Sequence, residues 1–69
     1  MQNLANETEK AYNNLPEELR LLVKLREIED LSYEDISIKT KMPIGTVRSR
    51  LHRAREILIA EMKKIIKNG

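Results

Sequence analysis

The most restrictive feature of this chain is an uninterrupted run of 24 residues, from Ile44 to Lys67, that contains no proline and has its single glycine at position 45. Apolar residues recur in this run every three or four positions, which is the spacing of one face of an α-helix. They are Val47, Leu51, Ala54, Leu58, Met62 and Ile65. At about 1.5 Å per residue, a helix over residues 44–67 is roughly 36 Å long. The remaining residues must therefore form shorter elements packed through aliphatic side chains.

Two shorter helices are predicted over residues 1–14 and 16–29. The first is polar, with only a weak apolar side. The second begins at Pro16, which is tolerated in a first helical turn, and continues with Glu17 and Glu18, which favour the positive end of the helix dipole. It should stop near residues 29–30, where the apolar periodicity lapses. Its predicted apolar face comprises Leu19, Leu22 and Val23, broadened by Leu25 and Ile28.

A third helix is predicted over residues 32–40, followed by a sharp turn. Ser32 and Asp35 have the spacing of a capping box, in which the hydroxyl accepts from a backbone N–H and the carboxylate reaches back to the cap. Ile36 is the residue most expected to be buried. Pro43 disfavours helical geometry at Met42, so it separates this helix from the long one. The sequence thus predicts an all-α fold, a single domain over residues 1–69 with four helices.

Composition excludes several classes of protein. Without cysteine, the chain has neither disulfides nor thiolate metal ligands. With one histidine and with carboxylates at helix starts, it offers no base held against a nucleophile, so we expect no enzyme, no cofactor and no metal site. No apolar run approaches the ~20 residues that a membrane span requires. We therefore expect a cytoplasmic protein that has no membrane partner.

Charge is distributed unevenly along the chain. Residues 1–35 hold four basic and nine acidic residues, a formal charge of −5, whereas residues 36–69 hold nine basic and two acidic residues, a charge of +7. Between Ile36 and Arg55 there is no acidic residue at all. Such a block is typical of polyanion binding, with a solvated helix face as the alternative. Its six basic residues are Lys39, Lys41, Arg48, Arg50, Arg53 and Arg55.

A short capped helix, a turn of about four residues and a second helix with a basic outer face together form a helix-turn-helix. In that motif the second helix enters the major groove, where long polar side chains reach the base edges. The residues predicted to contact bases are Arg48, Ser49, His52 and Arg53. Gly45 and Thr46, at the start of this helix, are small residues whose free N–H groups suit a phosphate.

The other basic residues are predicted to contact phosphates or carboxylates. Arg26, Lys39 and Lys41 are predicted to contact the phosphate backbone from the flanking elements. For Arg50, which lies beside the apolar face, an ion pair with an acidic residue of the second helix such as Glu18 is favoured over a DNA contact. For Arg55, phosphate contact and solvation are about equally favoured.

Three segments together resemble the C-terminal domain, region 4, of extracytoplasmic-function (ECF) RNA polymerase sigma factors. They are Leu15-Pro16-Glu17-Glu18-Leu19-Arg20, Leu31-Ser32-Tyr33-Glu34-Asp35-Ile36, and Pro43-Ile44-Gly45-Thr46-Val47-Arg48-Ser49-Arg50-Leu51-His52-Arg53-Ala54-Arg55. The resemblance covers about residues 15–60. The last segment is much more specific than a generic helix-turn-helix pattern.

The resemblance implies a domain that recognises the −35 promoter element and docks on RNA polymerase. It implies base contacts at Arg48, Ser49, His52 and Arg53, and backbone contacts around Arg26, Tyr33, Glu34, Gly45 and Thr46. It also implies that the first two helices, with Leu19, Leu22 and Val23, form a surface for the flap of the polymerase β subunit. A further implied partner is an anti-sigma protein.

Two departures from the family pattern stand out. The family usually has Leu-Gly before the turn, where this chain has Thr40-Lys41, so we expect strain if Lys41 adopts a left-handed conformation. Sigma factors of this type also carry an N-terminal domain that this sequence lacks. The sequence is therefore interpreted as a fragment that begins at an added or chance Met1, with a free-standing small regulator as the alternative.

Two other functions compete with promoter recognition. A response-regulator type of helix-turn-helix shares the pattern before the turn, but its third helix typically carries Thr-Val-Lys-x-His instead of the arginine-rich segment found here. Alternatively, the long helix could belong to a protein-interaction module, because its C-terminal half is more apolar than a small domain requires. The residues concerned are Ile57, Leu58, Ile59, Met62, Ile65 and Ile66.

Overall fold

The computed structural model describes the backbone of residues 4–68 and the side chains of residues 8–64. The described backbone contains four α-helices and no strand, which confirms the predicted all-α fold. Residues 1–3 and 69, which the sequence analysis included in the domain, lie outside the described range. The helices are α1 (Leu4–Asn13), α2 (Glu17–Val23), which continues as a π-helical segment (Lys24–Ile28), α3 (Tyr33–Thr40) and α4 (Ile44–Asn68).

The connection between α1 and α2 is held by two hydrogen bonds that cross it. The Tyr12 hydroxyl donates to the carbonyl of Arg20 at 3.2 Å, and the Arg20 guanidinium donates to the carbonyl of Asn13 at 3.2 Å. Leu15, between the two helices, is buried. Pro16, predicted to be the first helical residue, is instead the N-cap, and α2 begins one residue later at Glu17.

The second helix ends in a π-helical turn. Glu29 N–H donates to the carbonyl of Lys24, five residues back, at 3.0 Å. Asp30 then takes a φ of 57°, which stops the helix at the position predicted from the lapse in periodicity. Ile28 is 68% exposed, so the prediction that it broadens the buried face is wrong. Even at the regular 100° per residue, Ile28 lies about 140° around the axis from the buried Val23, beyond the edge of that face.

The start of α3 confirms Ser32 as the N-cap. Asp35 N–H donates to the Ser32 hydroxyl at 3.0 Å. Among the described residues, however, no hydrogen bond returns from the Asp35 carboxylate, so only half of the predicted capping box forms. The aspartate side chain is one methylene shorter than the usual glutamate at this position.

In the turn between α3 and α4, Lys41 adopts the left-handed conformation for which strain was expected. Lys41 has φ 62° and ψ 26°, values at which a Cβ is crowded by the backbone. Two side chains of α3 support the turn. The Thr40 hydroxyl donates to the carbonyl of Ile36 at 2.7 Å, and the Ser37 hydroxyl donates to the carbonyl of Met42. Thr40 thus fits the turn with a local hydrogen bond, whereas Lys41 occupies the left-handed position.

The core forms where α4 lies across the other helices. Leu22, Ile36, Val47 and Leu51 are its fully buried large side chains. Their neighbours in the same cluster are Leu15, Val23, Leu25 and Ala54. Because α2, α3 and α4 all contribute, α4 is fixed in position by contacts along its N-terminal half.

The predicted apolar face of α4 is confirmed in its N-terminal half. Val47, Leu51 and Ala54 are buried, and Leu58 and Met62 are half-buried. The side chain of Ile65 lies outside the described residues. Extents of 40 × 19 × 16 Å show that the long axis of the molecule is about the length of α4. In the described part of the chain, no helix combines the length and the apolarity needed to cross a membrane.

Candidate nucleic-acid interface

The geometry of α3, the turn and α4 determines which side of α4 faces solvent. Ile36 from α3 packs with Val47 and Leu51 from α4 in the core. At about 100° per residue, the residues opposite this buried side must point outwards. The predicted base-contacting residues Arg48, Ser49, His52 and Arg53, which we term the outward face, are all exposed.

Charge on the outward face is concentrated in two arginines. Arg48 and Arg53 take part in none of the ion pairs or side-chain hydrogen bonds found within the described residues. Ser49 donates from its hydroxyl to the carbonyl of Thr46 at 3.3 Å. His52 Nε2 lies 3.9 Å from the Glu56 carboxylate, one turn further along. Two arginines are thus exposed and free to bind an external acceptor.

The start of α4 differs in part from the prediction. Thr46 N–H donates to the carbonyl of Pro43 at 2.9 Å, so it is not a free donor, and this part of the prediction is wrong. The reason is a tight first turn, in which Val47 N–H reaches the same carbonyl at 3.1 Å. Gly45 is exposed, and a Cβ built on it would meet no atom within 4 Å, so the surface beside it is open.

Arg26 and Tyr33 lie together beside the N-terminus of α3. The Arg26 guanidinium donates to the carbonyl of Leu31 at 3.0 Å and lies 5.3 Å from the centroid of the Tyr33 ring. Both side chains are half-buried. This contact joins the π-helical segment to α3, so Arg26 has a structural role besides the predicted phosphate contact.

Three basic residues of the acid-free block pair with acidic residues of the second helix. Arg50 contacts Glu18, as predicted. Arg55 Nη2 lies 3.6 Å from the Glu27 carboxylate, and Lys39 Nζ lies 3.6 Å from that of Glu29. The sequence did not indicate the last two partners, because Glu27 and Glu29 lie in or just after the π-helical segment, whose register the 3.6-residue period does not describe.

The partner surface predicted on the second helix needs correction. Leu22 is 0% exposed and Val23 8% exposed, because both face α4 across the core. Leu19 is half-buried against the same cluster. Accessible apolar side chains on this helix are instead Leu21, 47% exposed, and Ile28.

An apolar groove lies between α1, the end of the second helix and α4. It has a volume of about 490 Å³ and an almost entirely apolar lining. Tyr12, Val23, Ile28 and Leu58 form its apolar walls, and Glu9 and Glu27 lie at its edge. In the sequence, such a surface was indicated by the C-terminal half of α4, which has more apolar residues than a small domain requires. Of that predicted patch, Ile59 is 55% exposed, Ile57, Leu58 and Met62 are half-buried, and the side chains of Ile65 and Ile66 are not described.

Comparison with known proteins agrees with this geometry. The family model of sigma-70, region 4 matches residues 5–58. The chain is 56% identical over 46 residues to the ECF RNA polymerase sigma-E factor of Haemophilus influenzae, which covers 67% of this chain and 24% of that protein. It is 43% identical over 58 residues to the sigma-E factors of Escherichia coli K12 and Salmonella typhimurium LT2, covering 84% of this chain and 30% of each relative.

The chain spans less than a third of the length of these relatives. The family match, by contrast, runs from α1 to the middle of α4 and includes the whole helix-turn-helix. The resemblance seen in the sequence is thereby confirmed, and the chain belongs to the sigma-70 region 4 family.

Proposed function

We propose that this chain is the promoter-recognition domain of an ECF sigma factor, which binds the −35 element by placing the N-terminal half of α4 in the major groove. The observation that carries the proposal is the outward face, where Arg48 and Arg53 are exposed and unpaired within the described residues. Arginine is the side chain that most often contacts guanine through two hydrogen bonds. Promoter binding also implies that the protein works in the cytoplasm.

Phosphate contacts in this proposal come from residues around the helix-turn-helix. Lys41 is exposed in the turn, and Gly45 leaves the start of α4 open to a phosphate. Such contacts fix the register of the protein on the duplex without reading sequence. Tyr33, Arg26 and Lys39 remain proposed phosphate contacts at the edge of the site, although the latter two also have partners within the chain.

The proposal is tested by titrating salt during selection from a random duplex pool and sequencing the retained DNA. Enrichment of one short motif that persists as salt rises supports base readout. In parallel, Arg48→Ala and Arg53→Ala should relax base preference, each at a cost of about 1–3 kcal/mol of discrimination. Lys41→Ala should weaken binding to all sequences alike and flatten the salt dependence. Equal losses on every sequence for all three variants contradict the assignment of base readers.

We further propose that the domain docks on RNA polymerase through the apolar groove, of which Val23 forms part of the wall, and not through the fully buried Leu22. The support is the accessibility of Ile28 and Leu58 at the groove, on a different side of the molecule from Arg48 and Arg53. A surface of this kind allows polymerase and DNA to be bound together. The flap of the β subunit is the proposed contact, and an anti-sigma protein is a proposed competitor.

Binding of polymerase core to immobilised protein tests the docking proposal. Ile28→Asp should weaken capture of the core, because it places a charge in an apolar groove, while affinity for duplex DNA stays unchanged. Ile38→Asp is the matched control, since Ile38 is an equally exposed isoleucine on α3, at 77%, and does not line the groove. Equal capture of the two variants contradicts the proposed docking site.

A further inference from the structure

We infer that Glu18 and Glu27 limit the sequence-independent affinity for DNA, because they hold two arginines of the recognition helix away from the phosphate backbone. This inference rests on the proposed promoter binding. The arginines concerned are Arg50 and Arg55, which contact Glu18 and Glu27 respectively. Both belong to the acid-free basic block, whose charge pattern is typical of polyanion binding.

The two ion pairs lie on opposite flanks of the buried face of α4. With about 100° between successive residues, Arg50 and Arg55 are about 140° apart around the helix axis, and Leu51 and Ala54 fall between them. Each arginine therefore stands beside the core, where the second helix supplies a carboxylate. Glu18 lies at the start of that helix and Glu27 near its end, so α4 is held on both sides.

The same geometry places these arginines at the border of the DNA-facing side. Arg50 and Arg55 are 42% and 46% exposed, so neither is sealed in the protein. An arginine side chain is long and flexible, and a phosphate is a good acceptor for its planar donors. Without a carboxylate beside them, both side chains could turn to the nearest phosphate.

An arginine that turned to a phosphate would strengthen binding to DNA of any sequence. Phosphate contacts add affinity for all DNA alike, whereas base contacts discriminate. An additional arginine on the backbone therefore raises the affinity for every sequence alike, so more of the protein is held on non-specific DNA. Because Arg50 and Arg55 are occupied by their ion pairs, the unpaired cations of the basic block within the described residues are Lys41, Arg48 and Arg53.

The salt dependence of DNA affinity shows whether each arginine is paired with its glutamate or contacts a phosphate. Each neutralised phosphate adds about 0.9 to the slope of log affinity against log salt, which is roughly a 3.5-fold greater loss between 50 and 200 mM salt. We expect Glu18→Gln to show this additional loss on a random duplex, since it releases Arg50. Glu27→Gln should do the same through Arg55.

Glu17→Gln is the matched control. Glu17 is the exposed neighbour of Glu18 in the same helical turn, and within the described residues it forms no ion pair. The substitution removes the same charge without releasing an arginine, so its salt slope should equal that of the unmodified protein. The double variant Glu18→Gln with Arg50→Gln should also return to that slope, because the released side chain is gone.

Two results overturn the inference. One is a slope for Glu18→Gln that equals the slope for Glu17→Gln. The other is a slope that falls by about 0.9 in Arg50→Gln alone, which would mean that Arg50 already contacts phosphate in the unmodified protein. Failure of the unmodified protein to bind any duplex would contradict the proposed function as well, so the two failures are distinguishable.

Discussion

Replacing Lys41 by glycine should make this domain more stable, although it removes a residue from the surface that we assign to DNA. Lys41 stands at φ 62° and ψ 26° in the turn between α3 and α4. A residue with a Cβ in this conformation costs about 1–2 kcal/mol relative to right-handed geometry. Glycine removes that cost because it adopts positive φ without crowding.

The gain is reduced by the unfolded state, in which glycine has more freedom to lose. That entropy costs about 0.4–1 kcal/mol. The net stabilisation is therefore about 0.5–1 kcal/mol, taking the middle of each range. For a domain of this size, 1 kcal/mol corresponds to about 4–8 °C in Tm, so an increase of roughly 2–8 °C is expected.

The change in stability would be measured by thermal and urea unfolding, with circular dichroism as the probe. Lys41→Ala is the control, because it removes the same charge but keeps the Cβ, and its Tm should not rise. Asp30, at φ 57°, provides a second comparison. Aspartate visits the left-handed region more readily than lysine, so Asp30→Gly should gain less. A Tm for Lys41→Gly at or below that of Lys41→Ala would refute the argument from backbone strain.

Further predictions concern the core, the cap of α3 and the π-helical turn. Leu51→Ala removes a side chain that is 1% exposed, so it should cost about 2–5 kcal/mol and leave the domain largely unfolded at 37 °C by circular dichroism. Ser32→Ala removes the acceptor for Asp35 N–H and should lower the free energy of unfolding by about 1 kcal/mol, whereas Ser32→Gly should cost only a few tenths. Ile28→Ser should change stability by no more than about 0.5 kcal/mol, because the side chain is exposed, and a loss comparable to Leu51→Ala would mean that Ile28 is buried after all.

Much of this fold is predictable because its boundaries depend on local chemistry. Ser32 begins α3, and Pro43 separates it from α4, since a cap hydroxyl and a proline ring act on their immediate neighbours in sequence. Val47, Leu51 and Ala54 follow the helical period and are buried together. Even the pairing of Arg50 with Glu18 follows from the position of Arg50 beside that face.

The features that the sequence did not predict lie at a departure from the regular period. The π-helical turn adds a residue to one turn of the second helix, and Ile28, which faces solvent, and Glu27, which pairs with Arg55, both lie within it. Nothing in a 3.6-residue pattern indicates where such a turn occurs. Burial of Leu22 and Val23 was consistent with the pattern, but the partner surface assigned to them came from family resemblance alone, which does not distinguish the inner from the outer side of a helix.

The continuity of α4 has a consequence for how the two proposed binding events relate. Its first turns carry the outward face, whereas Leu58, which lines the apolar groove, lies ten residues beyond Arg48 on the same unbroken helix. At about 1.5 Å per residue, the two positions are separated by roughly 15 Å along one axis. No proline or π-helical turn interrupts the described part of this helix, so there is no joint at which the separation could change. In the proposed complex, the domain would thus act as a fixed-length spacer, and the position of a partner in the groove would also set where the arginines meet the duplex.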